Sequence, residues 1–185
     1  MKSDTANEHK KQSSNDLDCS VITLSDSRKS EKLDLSGKII SDEIKSRYTL
    51  KTKSLIPDES EKLKNEIETH IDEGVDVIFT TGGTGLDTRD ITVETVESLF
   101  EKKIDGFGEL FRAKSYEEIG SAALLSRATA GIYKKTLIFS MPGSPNAVKT
   151  ALSLIIDELP HFVHHVKKWW IIFIIFLIKK FINNY

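Results

Sequence analysis

The segment Thr80–Asp90 combines residue types that can bind a phosphate group. Its first six residues contain three glycines and three threonines, which are Gly82, Gly83, Gly85, Thr80, Thr81 and Thr84. Glycines let backbone N–H groups approach an anion closely and tolerate positive φ angles. Threonine hydroxyls can donate hydrogen bonds to phosphate oxygens. The segment is therefore a candidate phosphate-binding loop, and a tight turn without a ligand is the alternative.

This glycine loop lies between a strand-like run and a helical pattern. The apolar run 75–79 is typical of a buried strand, and the apolar residues of 93–100 recur at helical spacing. Open α/β sheets bind ligands at the carboxyl ends of their strands, which is the predicted place of this loop. No Lys-Ser or Lys-Thr pair follows its last glycine, and the glycine spacing differs from GxGxxG. The loop is therefore neither a Walker A nor a Rossmann motif.

Strand-like and helix-like patterns alternate along the chain. Strand-like runs cover 19–25, 49–56 and 75–79, and a fourth begins at Thr136. Helical patterns lie between these runs and after the last of them. The first begins at Ser36, the second follows Pro57 and the third follows Asp90. A fourth spans 108–127 in two pieces, and the last runs from Ser144 to Pro160. Strands separated by helices of this length form βαβ units. The sequence therefore predicts a three-layer α/β/α sandwich with a mainly parallel sheet.

Three loops follow predicted strands. They are Ser25–Arg28, Thr80–Asp90 and Met141–Pro145. If the strands are parallel, all three loops lie on one rim of the sheet. A shared rim is a stronger indication of a ligand site than any single loop.

The composition limits the classes of function. The chain has 185 residues, enough for one ordinary domain, with 26 basic and 28 acidic residues. Since there is no basic bias, nucleic acid is not predicted as a partner. The single cysteine, Cys19, excludes an internal disulfide and fits a cytoplasmic location, and its apolar neighbours favour a structural thiol over a nucleophile. The polar N-terminal segment lacks the apolar core of a secretory signal and is predicted to be disordered.

The C-terminal segment is unusually apolar. Residues 169–178, WWIIFIIFLI, are ten consecutive apolar residues between two lysine pairs. A membrane-spanning helix needs about 20 such residues, so this run is too short to span a bilayer. Packing against another subunit is the first interpretation, contact with a membrane surface is the second, and an appendage without a selected role is the third.

Several segments together resemble a known family. In order, they are ITLSDSR, SGKII, IPDE, TTGGTGLDTRDIT, GFGELFR, SYEEIGSAALLSRATAG and MPGSP. This set is similar to the molybdenum cofactor biosynthesis protein B family, with its relatives the molybdopterin adenylyltransferases and the gephyrin G domain. The resemblance covers about residues 20–166. It divides the chain into a disordered polar tail (1–18), a molybdopterin-binding α/β domain (19–166) and an apolar C-terminal extension (167–185).

The resemblance implies an ATP- and Mg²⁺-dependent reaction in which molybdopterin is adenylylated and pyrophosphate is released. It implies that Asp58 and Asp90 are catalytic and bind the metal ion. The residues that it places on the nucleotide and its phosphates are Thr81, Gly82, Gly83, Thr84, Gly85, Pro142, Gly143 and Ser144. The residues that it places beside the pterin are Ser25, Asp26, Ser126 and Arg127. It also implies a cytoplasmic homotrimer or homohexamer.

The acidic residues also have structural interpretations. Asp58 is placed to cap the helix after Pro57, with Glu61 completing a capping box, and Asp90 could cap the following helix. Either residue could cap and bind a metal ion only if its second carboxylate oxygen faces the ligand. Arg89 could bind a phosphate or pair with a nearby acid.

Two further groups have alternatives. Ser25 and Asp26 could contact the pterin or close the first turn. The spacing of His161, His164 and His165 permits metal binding. A solvated helix end is favoured for these histidines, because no carboxylate or cysteine joins them at a ligand spacing.

Two other functions compete with the transferase. A non-catalytic molybdopterin carrier would keep the pterin site but has no need of two metal-directed acids. A dinucleotide pyrophosphatase acting on ADP-ribose would share the glycine loop, but GFGELFR and SYEEIG fit it less well. The transferase is therefore the preferred prediction.

Overall fold

The computed structural model describes residues 16–26 and 33–167 of the chain. The strands in these ranges are β1 (Asp18–Leu24), β2 (Thr49–Ile56), β3 (Val77–Thr81), β4 (Lys102–Lys103), β5 (Thr129–Tyr133) and β6 (Thr136–Met141). The helices are α1 (Leu35–Lys45), α2 (Ser60–Asp72), α3 (Thr92–Leu99), α4 (Asp105–Ile119), α5 (Pro145–Ile155) and α6 (residues 159–167). Two 3-10 turns, Gly120–Leu125 and Ile156–Glu158, follow α4 and α5.

The strands form one sheet in the order β2-β1-β3-β6-β5-β4. The first four of these strands, β2, β1, β3 and β6, pair in parallel with their neighbours. β5 pairs antiparallel with β6, and β4 pairs antiparallel with β5. Only Lys134 and Lys135 join β5 to β6, a connection that suits an antiparallel hairpin and is too short for a parallel crossover. The predicted α/β sandwich with a mainly parallel sheet is confirmed.

Each face of the sheet carries its own apolar core. On one face, α1, α4 and α5 cover side chains such as Val21, Phe79 and Phe139. On the other face, α2 and α3 cover Ile22 and Ile78. Neighbouring residues of β1 and β3 thus point to opposite cores, because successive side chains of a strand alternate between faces. The rings of Phe79 and Phe139 stack with centroids 6.0 Å apart, which fixes the centre of the sheet.

The sequence did not predict β4 or β5. β4 consists of two exposed lysines, which carry no apolar signal. β5 contains Gly131, over which the ring of Phe100 packs so closely that a Cβ atom at this position would overlap it. A glycine inside a short strand weakens the strand pattern. β5 therefore depends on pairing with β6, and β4 on pairing with β5, rather than on local sequence preference.

The helix predicted to end at Pro160 is also different in the structure. α5 ends at Ile155, and Pro160 is the second residue of α6. Proline is tolerated there, because backbone N–H groups in the first turn of a helix have no partner within the helix. Pro160 therefore lies at the start of a new helix, and the prediction that it ends the chain's last helix was wrong.

The structure describes parts of the two terminal segments. Leu17 is buried and Asp18 begins β1, although the sequence placed both in the N-terminal tail. The apolar run 169–178 lies outside the described residues, as do residues 1–15 and the Ser27–Arg28 part of the first predicted loop. Between residues 16 and 167, apart from the gap at 27–32, no helix has the length and apolar character needed to cross a membrane.

Candidate functional site

The carboxyl ends of four parallel strands form one rim. β1, β3 and β6 are adjacent, so the chain that leaves each of them emerges on the same side. β2 pairs with β1 and adds the Pro57–Asp58 segment to this rim. The prediction that loops from separate parts of the chain share one rim is confirmed for the residues that the structure describes.

Two glycines of the loop adopt conformations that other residues rarely adopt. The φ angles of Gly82 and Gly83 are 97° and 59°. Gly82 donates its N–H to the Met141 carbonyl oxygen at 3.2 Å, and a Cβ atom on it would overlap the Leu24 carbonyl oxygen. Position 82 therefore requires a glycine, because the ends of β1, β3 and β6 approach one another too closely there for a side chain. At Gly83, by contrast, a Cβ atom would be 2.6 Å from an oxygen of Asp58.

Threonine hydroxyls hold the loop in place. Thr92, the first residue of α3, donates its hydroxyl to the Gly82 carbonyl at 2.8 Å and its N–H to the Gly83 carbonyl at 2.9 Å. The predicted site did not include Thr92, although it lies two residues after Asp90. Thr80 and Thr81 donate their hydroxyls to the Ser140 hydroxyl and the Pro142 carbonyl. These two hydroxyls therefore stabilise the rim itself rather than point to a ligand.

Asp58 and Asp26 bind each other through reciprocal hydrogen bonds. The Asp26 N–H donates to Asp58 Oδ2 at 3.0 Å, and the Asp58 N–H donates to Asp26 Oδ1 at 3.1 Å. Asp58 Oδ1 is buried and has no hydrogen-bond partner among the described residues. Burial raises the pKa of the Asp58 carboxyl, and the nearby carboxylates of Asp26 and Asp90 raise it further. An unsatisfied buried carboxylate oxygen is costly and indicates a place for a cation or another donor.

Asp90 lies beside the last glycine of the loop. Its Oδ2 accepts the Asp87 N–H at 2.9 Å, and a Cβ atom on Gly85 would be 2.5 Å from the same oxygen. Asp58 and Asp90 thus approach the loop at Gly83 and Gly85. Neither caps a helix: the N-cap positions of α2 and α3 are Glu59 and Ile91, without side-chain capping bonds. The capping interpretations of both aspartates were wrong.

Arg89 pairs with an acid, which was one of its two predicted roles. Its guanidinium donates from Nε and Nη2 to Asp26 Oδ2, at 2.9 and 2.5 Å. These bonds are the main reason that the pKa of Asp26 lies below its usual value. Ser25 precedes Asp26 and donates its N–H to the Ile56 carbonyl at 2.9 Å. That bond fixes the end of β1 against the end of β2.

The loop after β6 contacts the glycine loop. A Cβ atom on Gly143 would be 3.2 Å from Gly82 Cα, so the two backbones lie side by side. Ser144 caps α5 by accepting the Ala147 N–H, and Pro145 occupies the first helical position, as the sequence suggested. Ser36, at the start of α1, donates its hydroxyl to the Gly143 carbonyl at 2.5 Å. The SGKII segment thus contributes Ser36, which the predicted site did not include.

Arg127 reaches the same loop from the other direction. Its Nε donates to the Thr84 carbonyl at 2.9 Å, and its Nη1 and Nη2 bind Glu94. Ser126 ends the preceding 3-10 turn by donating its N–H to the Ala123 carbonyl. A polar cavity of about 280 Å³ lies beside Arg127. Its charged lining residues are Glu97, Lys103, Asp105, Glu109, Arg112 and Arg127.

Asp58 and Asp90 are better suited to bind Mg²⁺ than His161, His164 and His165 are. Mg²⁺ is commonly held by one or two carboxylates together with substrate phosphates. The unsatisfied Asp58 oxygen and the Asp90 carboxylate beside the glycine loop fit that pattern. In the described part of the chain, no group of three or more His, Cys, Asp or Glu residues could hold a metal ion without a substrate.

Comparison with known proteins agrees with this geometry. Residues 20–161 match a family model described as "Probable molybdopterin binding domain". A protein named molybdopterin adenylyltransferase from Pyrococcus furiosus is 43% identical over 166 residues, which cover 87% of this chain and 98% of that protein. Molybdenum cofactor biosynthesis protein B from Bacillus subtilis is 44% identical over 165 residues, which cover 87% of this chain and 96% of that protein.

A solved structure gives the same result for the fold. The crystal structure of the tungsten cofactor synthesizing protein MoaB from Pyrococcus furiosus is similar with a TM-score of 0.77 and 43% identity. The match covers 81% of this chain and 96% of that chain. These similarities extend over nearly all of the described residues and include the loops of the rim. This chain therefore belongs to the molybdenum cofactor biosynthesis family, whose shared unit is the probable molybdopterin binding domain.

Proposed function

We propose that this protein catalyses the ATP-dependent adenylylation of molybdopterin. A phosphate oxygen of molybdopterin attacks the α-phosphorus of ATP, and a new P–O bond forms as the bond to pyrophosphate breaks. The relatives named molybdopterin adenylyltransferase support this reaction. The structural observation that carries it is the buried, unsatisfied Asp58 oxygen beside Gly83, with Asp90 beside Gly85.

The glycine loop and the loop after β6 would hold the nucleotide. Phosphoryl-type transfer depends on positioning and charge neutralisation more than on covalent help from the protein. Backbone groups along Thr81–Gly85 can approach phosphate oxygens closely, since the three glycines lack side chains. Pro142, Gly143 and Ser144 lie against that loop and would complete the nucleotide side. Both aspartates would act beside these phosphates, and Mg²⁺ bound to them would neutralise phosphate charge.

The pterin would occupy the flanks of the rim. Ser25 and Asp26 lie at the end of β1, beside Asp58. Arg127 binds the Thr84 carbonyl oxygen and lines the polar cavity, and Ser126 precedes it. The Arg127 guanidinium, which also binds Glu94, would supply hydrogen-bond donors to the pterin on this side.

The protein would work as a cytoplasmic homotrimer or homohexamer. Apolar side chains on α4 and the following 3-10 turn support self-association, because large exposed apolar patches commonly mark interfaces. These exposed side chains are Leu110, Tyr116, Ile119, Leu124 and Leu125. Membrane contact through residues 169–178 remains the secondary interpretation of that segment.

The test is pyrophosphate release from purified protein supplied with molybdopterin, ATP and Mg²⁺. Wild type should release pyrophosphate in proportion to the molybdopterin consumed. Asp90→Asn should lower kcat on the order of 100-fold, because a neutral amide binds the Mg²⁺ that neutralises the phosphates less well than a carboxylate does. Asp42→Asn removes a carboxylate from an exposed pair with Lys38 on α1 and should leave turnover unchanged.

Three outcomes would contradict the proposal. Tight molybdopterin binding without turnover would identify a carrier. Hydrolysis of ADP-ribose without molybdopterin would identify a dinucleotide pyrophosphatase. Unchanged turnover in Asp90→Asn would show that the reaction takes place elsewhere on the protein.

A further inference from the structure

Asp26 joins the loops that follow three different strands. Its Oδ1 accepts the Asp58 N–H, and Asp58 follows β2. Its Oδ2 accepts two bonds from Arg89, which lies in the loop after β3. Asp26 itself follows β1. Both oxygens of its carboxylate are therefore engaged by protein groups, and one residue connects three segments of the rim.

These bonds determine which oxygen of Asp58 faces the glycine loop. A carboxylate rotates about its Cβ–Cγ bond, so its two oxygens exchange places unless one of them is held. Here the Asp26 N–H holds Asp58 Oδ2 at 3.0 Å. The other oxygen, Oδ1, is buried and lies beside Gly83, because a Cβ atom on Gly83 would be 2.6 Å from it.

We propose that Arg89 and Asp26 are positioning residues that hold Asp58 in its reactive orientation. Arg89 fixes the Asp26 carboxylate, and Asp26 in turn fixes the main chain and the carboxylate of Asp58. Arg89 thus acts through Asp26 rather than on a phosphate. This role rests on the proposed function, since it assigns Arg89 and Asp26 to the orientation of a residue that acts there.

A simple stabilising role does not account for this ion pair. The side chains of Arg89 and Asp26 are 59% and 42% exposed, and exposed ion pairs contribute little to stability. Small displacements of a group that must be positioned can nevertheless lower a rate on the order of 100-fold. Loss of the pair should therefore reduce turnover strongly while the melting temperature changes by no more than about 3 °C.

The kinetic test compares Arg89→Gln, Asp26→Asn and the double variant with wild type. Each single variant should lower kcat by about 10- to 100-fold. KM for ATP should change less than about threefold in Arg89→Gln, since the guanidinium is not needed to bind the nucleotide. The double variant should be no slower than the slower single variant, because the two residues act as one unit. Arg89→Lys should recover part of the lost rate, because lysine restores the charge.

The matched control is Arg47→Gln. Arg47 is also a half-exposed arginine that pairs with an acid from a distant segment, Asp157, but it lies at the end of α1 away from the rim. It should retain the wild-type kcat and KM. Additive losses in the double variant, a raised KM for ATP as the main effect of Arg89→Gln, or an unchanged kcat would each overturn the positioning role.

A second readout needs no substrate. Amide hydrogen exchange in the ligand-free protein, followed by NMR, should become about tenfold faster at Asp26 and Asp58 in Arg89→Gln, because both N–H groups lose a fixed acceptor. The amide of Val21, inside β1, should not change. Unchanged protection at Asp58 would overturn the proposal even if wild type is active. If wild type releases no pyrophosphate, the proposed function fails, and the exchange result still decides whether Arg89 orders Asp58.

Discussion

Gly83 has two separate reasons to lack a side chain. Its φ angle of 59° lies in the left-handed region, which costs an alanine about 1–2 kcal/mol. A Cβ atom would also be 2.6 Å from Asp58 Oδ1 and from Thr92 Oγ1. Backbone conformation and close packing therefore select glycine at the same place, directly beside the carboxylate that the proposed reaction uses.

Gly83→Ala should lower both stability and turnover. The free energy of unfolding should fall by roughly 1–3 kcal/mol, because the left-handed conformation is strained and Asp58 or Thr92 must move. Denaturant unfolding and pyrophosphate release would measure the two effects. Gly106→Ala is the control, since a Cβ atom at Gly106 meets nothing within 4 Å and the residue lies in a helix. If Gly83→Ala and Gly106→Ala have the same free energy of unfolding and the same rate of pyrophosphate release, neither reason applies.

The proximity of candidate site residues was predictable from sequence only where a short motif contains them. The glycines and Asp90 belong to one continuous segment, so their proximity followed from spacing alone. Asp26 and Asp58 are 32 residues apart, and Arg89 is 63 residues from Asp26. Their contacts depend on which strands are neighbours and on where each strand ends. No local pattern carries that information, so the sequence could not show that Arg89 pairs with Asp26.

At the scale of secondary structure, His70 connects α2 to the sheet. Its Nδ1 lies 2.9 Å from the Ser20 hydroxyl on β1, and its Nε2 lies 3.3 Å from the Ser54 hydroxyl on β2. The side chain is buried, and this burial lowers the pKa of His70, although Glu66 and Glu73 oppose the shift. The folded protein therefore favours the neutral imidazole at the junction of one helix and two strands.

His70 should make stability depend on pH in the mildly acidic range. As pH falls below the ordinary histidine pKa of 6.5, the unfolded chain takes up a proton before the folded protein does. The free energy of unfolding should therefore decrease through this window, by at most about 1.4 kcal/mol per pH unit, and level off below the folded-state pKa. His70→Gln should remove this part of the slope at fixed protein concentration. A slope identical to wild type between pH 5 and pH 7 would contradict the assignment.

Strand prediction succeeded where burial or regular alternation marked the sequence. β1, β3 and β6 are buried on both faces by helices, so their sequences are largely apolar. β2 has no fully buried residue, and its alternating pattern predicted it. β5 is partly exposed at Ile132 and Tyr133, and β4 is fully exposed. Both strands owe their conformation to hydrogen bonds with a neighbouring strand. Their existence is decided by tertiary structure, which explains why the antiparallel edge was missed.

At the scale of the whole molecule, an apolar groove lies beside α6, and an apolar run follows α6 in the sequence. An apolar groove of about 350 Å³ is lined by Phe107, Leu110, Phe162 and Val166, among others. The apolar run 169–178 begins three residues after Val166 in the sequence. Leu110 is 60% exposed and also belongs to the patch on α4 and the following turn. These features would be covered together if α4 and the C-terminal segment contribute to one contact between subunits.

Deleting residues 169–185 should therefore reduce the size of the assembly. The deletion removes ten consecutive apolar residues, each large enough to contribute about 1.5–3 kcal/mol when fully buried. Light scattering at several protein concentrations should show fewer subunits in the assembly of the deletion variant than in that of the full chain. Deleting residues 1–15, a polar segment of similar length, is the control and should leave the number of subunits unchanged. If the C-terminal deletion variant assembles with the same number of subunits as the full chain, the segment does not contribute to the contact. Binding of the full chain to anionic vesicles would then test the membrane-surface interpretation.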